Sequence, residues 1–428
     1  MKVFKFGGAS VNSIKRIQNI QNILKQYSTD NLLVIISAMG KTTNALEKVA
    51  ESFYAANTNE ALALFEIIKQ QHLDTAQQLM PNTFTTCKEK LNEFFTEVEW
   101  LLHDKPVRHY DYYYDQIVSI GELMSTCIVS CYLNELKVDN TWLDVRDIIK
   151  TDNNFRDAGV DWEKTGAIIS NQWTMQNNQM PNTQYPTSKV FITQGFIGCT
   201  DDNETTTLGR EGSDYTAAIF ANLLNAQSVS IWKDVEGVMN ADPKQFSNAQ
   251  LISELSFEDV IEMAFYGAQV IHPKTIKPLQ NKKIPLYVKC FLDASLPGTV
   301  IQDNVAKKLP PIIVVKEKQV LINLHTQDFS FVGEKPMSFL YNLFEEIKIK
   351  PNLIQTGAIN VQICLDDIVE KIDVLASKAS SIFNVQLQKN LSLLTIRNYN
   401  SNIVNEMLAD KKVLLQQTTQ TTMQALCF

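Results

Sequence analysis

Apolar residues follow two alternating patterns over positions 1–303 of the chain. Short continuous apolar runs, typical of strands buried on both faces of a parallel sheet, alternate with longer stretches in which apolar residues recur three or four positions apart, as in a helix. We predict strands over 2–6, 32–37, 189–195, 228–233 and 284–289, and helices over 11–27, 44–105, 115–137, 213–225 and 256–268. This alternation predicts an α/β fold, a three-layer sandwich around a mostly parallel sheet.

The pattern changes after the Pro310–Pro311 pair, which suits neither a helix nor a central strand. Strands and helices then follow one another as in the ferredoxin-like βαββαβ unit. We predict two such units, the first over about 320–389 and the second formed by 391–427 and completed by a strand at 312–316. The first unit is predicted to begin with a strand over 320–326 and to end with one over 383–388, and the second is predicted to contain a separate strand over 391–397. The predicted domains are therefore 1–303 and 304–428.

Composition and charge exclude several classes of protein. The chain has 428 residues and a formal net charge of −8, which argues against binding to nucleic acid through its phosphates. No unbroken apolar run approaches the ~20 residues of a membrane helix, and the N-terminus does not resemble a signal peptide. We therefore expect a cytoplasmic protein that binds neither membranes nor nucleic acid.

The seven cysteines are scattered along the chain, without the paired spacing of a zinc site or a disulfide framework. We expect no metal held by the protein itself. Cys127 and Cys131 lie four positions apart in a predicted helix and are interpreted as small buried thiols.

Glycine is scarce, with 15 residues in the whole chain, so the position of each one is informative. Gly7 and Gly8 follow the first predicted strand directly after Lys5 and Phe6. Consecutive backbone N–H groups, the start of the next helix and the Lys5 ammonium would together form an anion site. A plain turn from strand to helix explains the glycines equally well, and the spacing is not that of a Walker loop.

Further polar motifs lie between the other predicted elements, one of them directly before the helix predicted over 213–225. Arg210 can hold a carboxylate with two parallel hydrogen bonds, and Ser213 is predicted to cap the next helix. Asp214 then falls in the first turn, where it serves either chemistry or the helix dipole. Asp242–Pro243 indicates a turn, and His272 is interpreted as a structural histidine.

Several segments, taken in order, resemble the aspartokinases of the amino-acid-kinase superfamily. They are KFGGAS, SAMGKTTN, SIGE, TQGFIG, TTTLGREGSDYTAA, IWKDVEGVMNADPK, FYGAQVIHPKT, LLTIRNY and LLQQTTQTT. The resemblance implies transfer of the ATP γ-phosphate to the β-carboxylate of L-aspartate, giving 4-phospho-L-aspartate. This is the first step of lysine, threonine and methionine biosynthesis. It also implies Mg²⁺ bound with ATP rather than by protein carboxylates.

The resemblance assigns roles by motif position. The catalytic residues would be Lys5, Gly8 and Asp214. The aspartate pocket would comprise Ser37, Thr43, Glu122, Phe196, Arg210 and Ser213, with Arg210 on the α-carboxylate and Glu122 on the α-ammonium. The ATP site would comprise Lys5, Gly7, Gly8, Lys233, Asp234, Met239, Asp242, Lys244, Gln269 and Val270. The chain departs from the usual family residues at Ala9, Glu211, Lys233, Met239, Lys244 and Gln269.

The C-terminal region resembles the paired ACT domains of aspartokinases, which bind amino-acid effectors at an interface between copies. This implies a homodimer or higher oligomer and an effector site at Phe331, Asn352, Gly357 and Ala358. Asn352 and Ala358 stand where lysine-inhibited relatives carry acidic residues, so the effector stays open. Two other functions remain as alternatives: a catalytically silent amino-acid sensor, or a kinase acting on glutamate or N-acetylglutamate.

Overall fold

The computed structural model of the chain describes residues 1–177, 189–268, 270–303 and 309–428. The chain forms two compact units. The first contains Met1–Val238, Leu251–Ile261 and Ile271–Ala306, and the second contains Met239–Gln250, Glu262–Val270 and Lys307–Phe428. The units are therefore interleaved in sequence, and the predicted domain boundary after residue 303 stays a prediction.

The strands up to residue 303 are short. They are β1 (Lys2–Phe6), β2 (Leu32–Ile36), β3 (Asn140–Leu143), β4 (Val190–Gln194), β5 (Ile197–Cys199), β6 (Thr205–Thr207), β7 (Ser228–Lys233), β8 (Val238–Met239), β9 (Leu251–Ile252), β10 (Glu254–Ser256), β11 (Leu286–Cys290) and β12 (Thr299–Gln302). One sheet joins eight of the described strands in the order β10-β12-β11-β7-β1-β2-β4-β3.

The helices of the same region are α1 (Ile14–Lys25), α2 (Thr42–Tyr54), α3 (Thr58–Leu79), α4 (Phe84–His103), α5 (Tyr110–Val118), α6 (Ile120–Glu135), α7 (Trp162–Asn177), α8 (Gly212–Leu223), α9 (Phe257–Phe265) and α10 (Pro273–Asn281). The long helical pattern predicted over 44–105 is divided among α2, α3 and α4. Short 3₁₀ turns span Gly8–Val11 and Val145–Asp147.

The pairing of the central strands is parallel and brings their carboxyl ends to the same edge of the sheet. Phe6, the last residue of β1, pairs with Ile36 of β2 and Trp232 of β7, and Ile36 pairs with Gln194 of β4. Strands β11 and β12 pair antiparallel. The predicted α/β fold with a mostly parallel sheet is confirmed, and its loops after β1, β2, β4 and β7 share one edge.

One helical segment of 26 residues, Tyr110–Glu135, is long and apolar enough to cross a membrane by length and composition alone. Asp115 and Glu122 interrupt its apolar residues, which is why the sequence shows no unbroken run of membrane length. Most of its apolar window, 89%, is buried inside the protein. The segment therefore has the burial of a core helix.

The second unit contains an antiparallel sheet with helices between its strands. Its main elements are β13 (Ile312–Thr326), α11 (Glu334–Ile347), β14 (Leu353–Thr356), β15 (Asn360–Asp366), α12 (Val369–Ala379), β16 (Phe383–Arg397), α13 (Ser401–Leu408), β17 (Val413–Thr418) and β18 (Thr422–Cys427). The strand order in the sheet is β14-β15-β13-β16-β18-β17.

Two pairs of strands predicted separately are continuous in the structure. The segments 312–316 and 320–326 form the single strand β13, with an irregular register between Lys316 and Gln319. The segments 383–388 and 391–397 likewise form β16. One half of each long strand belongs to the first ferredoxin-like unit and the other half to the second. The segment 312–316 pairs with the second half of β16, and its assignment to the second ferredoxin-like unit stays a prediction.

Candidate active site

A cavity of about 600 Å³ lies at the carboxyl edge of the parallel sheet in the first unit. Ligands of open α/β sheets bind at this edge, because the loops that follow the strands converge there. Its lining residues come from β1, β6 and β7, from the loops after β1, β2, β3, β4 and β6, and from α2, α5, α6 and the start of α8. They are Lys5, Gly8, Ser37, Ala38, Gly40, Thr43, Tyr114, Glu122, Arg156, Phe196, Thr207, Gly209, Arg210, Glu211, Gly212, Ser213, Asp214 and Lys233.

A buried ion pair forms one wall of the cavity. Nζ of Lys5 lies 2.6 Å from Oδ1 of Asp214, and Nζ of Lys233 lies 4.0 Å from Oδ2 of the same carboxylate. Burial by itself would raise the pKa of the Asp214 carboxyl, but the charges of Lys5 and Lys233 hold that pKa below its ordinary value. Two ammonium groups thus face one carboxylate, and this wall carries a net positive charge suited to an anion.

The turns after β1 and β2 pack backbone against backbone. The N–H of Gly40 donates to the carbonyl of Gly8 at 3.0 Å, and a Cβ on Gly8 would lie only 2.7 Å from the carbonyl oxygen of Ala38. Any larger residue at position 8 would therefore clash with the backbone of the turn after β2. The predicted helix start near residue 11 is wrong, because a 3₁₀ turn spans Gly8–Val11 and α1 begins only at Ile14.

Glu122 presents a carboxyl group with an unused acceptor atom. It lies in the first turn of α6 and is 3% exposed. Its Oε1 accepts the N–H of Ala38 at 3.3 Å, whereas no described residue donates to its buried Oε2. Burial raises the pKa of this carboxyl to about 8, against the opposing effects of the Ala38 N–H and the Lys5 charge. A cationic donor would satisfy Oε2.

Polar groups that could bind a second anion lie on the loop between β6 and α8 and near the start of α8. Arg210 lines the cavity and forms no ion pair with any residue in the described part of the chain. It follows Gly209, whose φ of +75° is the left-handed conformation that favours glycine. The hydroxyl of Ser37 donates to Oγ of Ser213 at 3.0 Å, which joins the loop after β2 to the start of α8.

The start of α8 differs from the predicted one. Glu211, not Ser213, precedes the helix at the N-cap position, with a left-handed φ of +54°, and Ser213 lies inside the first turn. Asp214 is in the first turn, as predicted. The Glu211 carboxylate accepts the N–H of His272 at 3.0 Å, and His272 itself caps α10 by accepting the N–H of Lys274.

Tyr114 and Arg156 line the cavity although no motif in the sequence indicated them. The Arg156 guanidinium carbon lies 4.2 Å from the centroid of the Tyr114 ring, a cation–π contact. The tyrosine-rich stretch 110–114 is visible in the sequence, but its contact with residue 156 depends on the fold.

Asp115, next to Tyr114, fixes the loops that carry these residues. It is fully buried and accepts the N–H of Arg156 at 2.9 Å, the N–H of Thr207 at 2.8 Å and the Thr207 hydroxyl at 2.7 Å. Burial raises the pKa of the Asp115 carboxyl to about 6, although these hydrogen bonds oppose the shift. The Asp115 carboxylate therefore holds Arg156 and the strand leading to Arg210.

The residues predicted for the ATP site fall into several groups. Lys5, Gly8 and Lys233 line the cavity, whereas Gly7 and Asp234 do not, and Asp234 forms an ion pair with Arg16. Gln269 lies outside the described residues. The others belong to the second unit; they are Met239, Asp242, Lys244 and Val270.

Within the second unit, Asp242 begins a turn, because its Oδ1 accepts the N–H of Lys244 at 2.9 Å. This agrees with the turn that the Asp242–Pro243 pair predicts.

The predicted effector residues lie at both ends of β14. Gly357 and Ala358 follow the strand, and the carbonyl of Ala358 accepts the N–H of Val332, next to the exposed Phe331. Asn352 precedes the strand, ~16 Å away along an extended chain. Within one chain, the structure thus brings three of the four residues together.

Asn352 is engaged by polar neighbours in its own unit. Its Nδ2 donates to Oε1 of Gln319 at 2.7 Å and to Oδ1 of Asp366 at 2.9 Å, while Nζ of Lys316 donates to its Oδ1 at 2.8 Å. The polar side chains around Asn352 thus already bind one cation, the ammonium of Lys316.

Comparison with known proteins identifies the family. Residues 1–290 match the profile of the "Amino acid kinase family". The chain is 31% identical over 372 residues to "Lysine-sensitive aspartokinase 3" of Escherichia coli, an alignment that covers 85% of this chain and 78% of that protein.

Solved structures of E. coli aspartokinase III are similar along the whole chain. One, in complex with lysine and aspartate in the T-state, has a TM-score of 0.80 at 26% identity and covers 100% of this chain and 95% of that chain. Another, in complex with aspartate and ADP in the R-state, has a TM-score of 0.78 at 27% identity, with 100% and 96% covered. The chain therefore belongs to the amino acid kinase family and, within it, to the aspartokinases.

Proposed function

We propose that the chain is an ATP-dependent aspartate kinase that converts L-aspartate to 4-phospho-L-aspartate. The observation that carries this proposal is the convergence of Lys5, Glu122 and Arg210 on one cavity. An ammonium, a carboxyl group and a guanidinium there match a phosphate, an α-ammonium and an α-carboxylate. The E. coli relative whose structure contains aspartate and ADP supports the same substrates.

Arg210 holds the α-carboxylate of aspartate, and Oε2 of Glu122 accepts the α-ammonium. Ser37, Thr43, Phe196 and Ser213 complete this pocket. Because Arg210 has no ion-pair partner among the described residues and Oε2 of Glu122 has no donor, both groups are available to a ligand. With the α-substituents held in this way, the β-carboxylate points toward Lys5.

The chemical step requires positioning and charge neutralisation, because phosphoryl transfer asks for little covalent participation by the protein. The attacking β-carboxylate is ionised at neutral pH, so no general base is needed. Lys5 and Lys233 reduce the repulsion between this carboxylate and the γ-phosphate. Gly8 keeps the backbone close enough for a phosphate to approach, and Asp214 holds both ammonium groups.

We assign Mg²⁺ to ATP rather than to a protein carboxylate cage. Asp214 is the carboxylate nearest Lys5, and two ammonium groups already balance its charge. The ion bound to ATP oxygens and water would neutralise phosphate charge. Further ATP contacts are proposed for Gly7 and for the segments around Asp234, Met239, Asp242, Lys244, Gln269 and Val270.

The second unit binds an amino-acid effector through its ACT-like halves, and the protein acts as a cytoplasmic homodimer or higher homo-oligomer. The E. coli relative is described as lysine-sensitive and has been solved with lysine, which supports regulation of this kind. The proposed effector residues are Phe331, Asn352, Gly357 and Ala358. Lysine, threonine and methionine, each added to the kinase assay, test which effector inhibits turnover.

Hydroxylamine trapping of the acyl phosphate tests the proposed reaction. The purified full chain is incubated with ATP, Mg²⁺, hydroxylamine and one acceptor: L-aspartate, L-glutamate or N-acetylglutamate. We expect hydroxamate with aspartate alone. Product with either other acceptor instead would favour a related carboxylate kinase. No product with any acceptor at high ATP would favour a silent amino-acid sensor.

A further inference from the structure

Three cysteine thiols meet between two helices of the first unit. Cys87 lies in α4, and Cys127 and Cys131 lie four residues apart in α6, on one face of the helix. The three Sγ atoms all lie within 4.8 Å of one another. Cys87 and Cys127 are buried, whereas Cys131 is partly exposed. The other cysteines, Cys199, Cys290, Cys364 and Cys427, join no such group among the described residues.

We propose that Cys87, Cys127 and Cys131 bind one Cu(I) ion through three thiolates. Soft thiolate ligands select Cu(I), zinc or iron–sulfur clusters over hard cations. Metal–sulfur bonds of ~2.3 Å arranged in a plane separate the sulfurs by ~4 Å, which is compatible with the observed spacing of these atoms. The fold therefore needs only small side-chain movements to form the site.

The number of ligands favours Cu(I) over a structural zinc ion. Structural zinc is almost always tetrahedral and held by four protein ligands. Within the described residues, no histidine, aspartate, glutamate or fourth cysteine joins the three thiols. Three soft thiolates suit the singly charged Cu(I) ion, whereas a zinc ion with three protein ligands would keep an open fourth position.

Binding would replace three S–H bonds by three Cu–S bonds and release the three protons to solvent, with no change of oxidation state. Cys131 provides the entrance because it is the partly exposed member of the group. Cys131 is therefore expected to be the first of the three thiols to bind the ion.

The copper site is separate from the proposed catalytic cavity. Glu122 lies at the start of α6, and Cys131 lies nine residues further along the same helix, a rise of ~14 Å. None of the three cysteines lines the cavity. Metal binding can therefore be measured without reference to kinase turnover.

Anaerobic titration of the reduced full-length protein with Cu(I), against a chromophoric Cu(I) chelator, tests the proposal. We expect one ion per chain. Alkylation followed by peptide mass spectrometry should show that Cys87, Cys127 and Cys131 become protected together when copper is added. C87S, C127S and C131S should each weaken binding by at least ~100-fold, whereas the matched controls C199S and C290S should bind as the unaltered chain does.

The protection pattern in the unaltered protein decides the result even if a serine variant does not fold. Protection of other cysteines, or no uptake of Cu(I), would overturn the site. A disulfide among the three thiols in the reduced preparation would also overturn it. Stronger retention of Zn(II) than of Cu(I) in a parallel titration would overturn the choice of metal.

Discussion

Lys5 and Asp214 form an ion pair of 2.6 Å at the carboxyl edge of the parallel sheet, one in β1 and the other in the first turn of α8. Both side chains are largely buried. Removing one partner would leave the other charge buried and poorly compensated. The position of the Lys5 ammonium, which we propose binds phosphate, therefore depends on how α8 packs on the sheet.

Lys5→Met should lower kcat by at least ~10²-fold, because it removes an ammonium that stabilises charge on the transferring phosphoryl group. Steady-state kinetics with aspartate and ATP measure the effect, and circular dichroism checks the fold. Lys2→Met is the matched control, since Lys2 lies in the same strand but pairs with Asp30. A kcat near normal for Lys5→Met would refute the assigned role.

The KM for aspartate should depend on pH through Glu122. The raised pKa of about 8 keeps this carboxyl protonated below that pH, whereas binding of the α-ammonium requires the carboxylate. KM should therefore rise as pH falls below about 8, approaching tenfold per pH unit. Glu122→Gln should have a high KM without this dependence. Glu135→Gln, at the other end of α6, should keep the slope, and a flat profile in the unaltered enzyme would contradict the role.

The same carboxyl should affect the free energy of unfolding in the absence of substrate. Between its ordinary pKa and about 8, the folded state holds a proton that the unfolded state has lost. Stability should therefore fall as pH rises through this window, by up to about 1.4 kcal/mol per pH unit. Chemical denaturation at several pH values measures this slope, which Glu122→Gln should reduce by one proton. An unchanged slope in the variant would show that another group is responsible.

Arg210→Lys should raise the KM for aspartate by about 10–100-fold, because an ammonium cannot reproduce the paired hydrogen bonds of a guanidinium to a carboxylate. The KM for ATP should change much less. Arg108→Lys is the control, since Arg108 is an exposed arginine that pairs with Glu204. Equal changes in both KM values would indicate a general distortion of the site.

Asp115→Ala should lower the free energy of unfolding by about 2–4 kcal/mol, because the N–H groups of Arg156 and Thr207 would lose a buried acceptor. The KM for aspartate should also rise, since Arg210 follows this segment. Asp111→Ala, on the exposed side of the same helix, should have little effect on stability. A stable Asp115→Ala enzyme with a normal KM would show that the loops are held in another way.

Much of the site could be predicted because its residues lie in continuous motifs. Lys5 stands beside two glycines at the end of a predicted strand, whereas Arg210 and Asp214 lie in a glycine-containing motif before a predicted helix, and the parallel sheet brings these distant segments together. Arg156 and Tyr114 could not be predicted in this way. Their contact depends on Asp115, whose partners are 41 and 92 positions away in the chain.

The predicted strand breaks near Lys316 and Gln388 were wrong for a physical reason. Polar side chains there interrupt the apolar pattern, but the backbone of β13 and β16 continues to pair across the irregular register. Strand continuity depends on backbone hydrogen bonds, whereas periodicity in the sequence reports only which side chains are buried. The start of α8 was misplaced similarly, because Glu211 adopts a left-handed conformation unusual for a side chain of its type.

Strands β13 and β16, of 15 residues each, run without a linker through both ferredoxin-like halves of the second unit. Neither half can come apart without breaking hydrogen bonds that hold the other. The two halves should therefore lose their amide protection against hydrogen exchange in a single cooperative step. A twist of one half would also change the twist of the other, because the same two strands run through both.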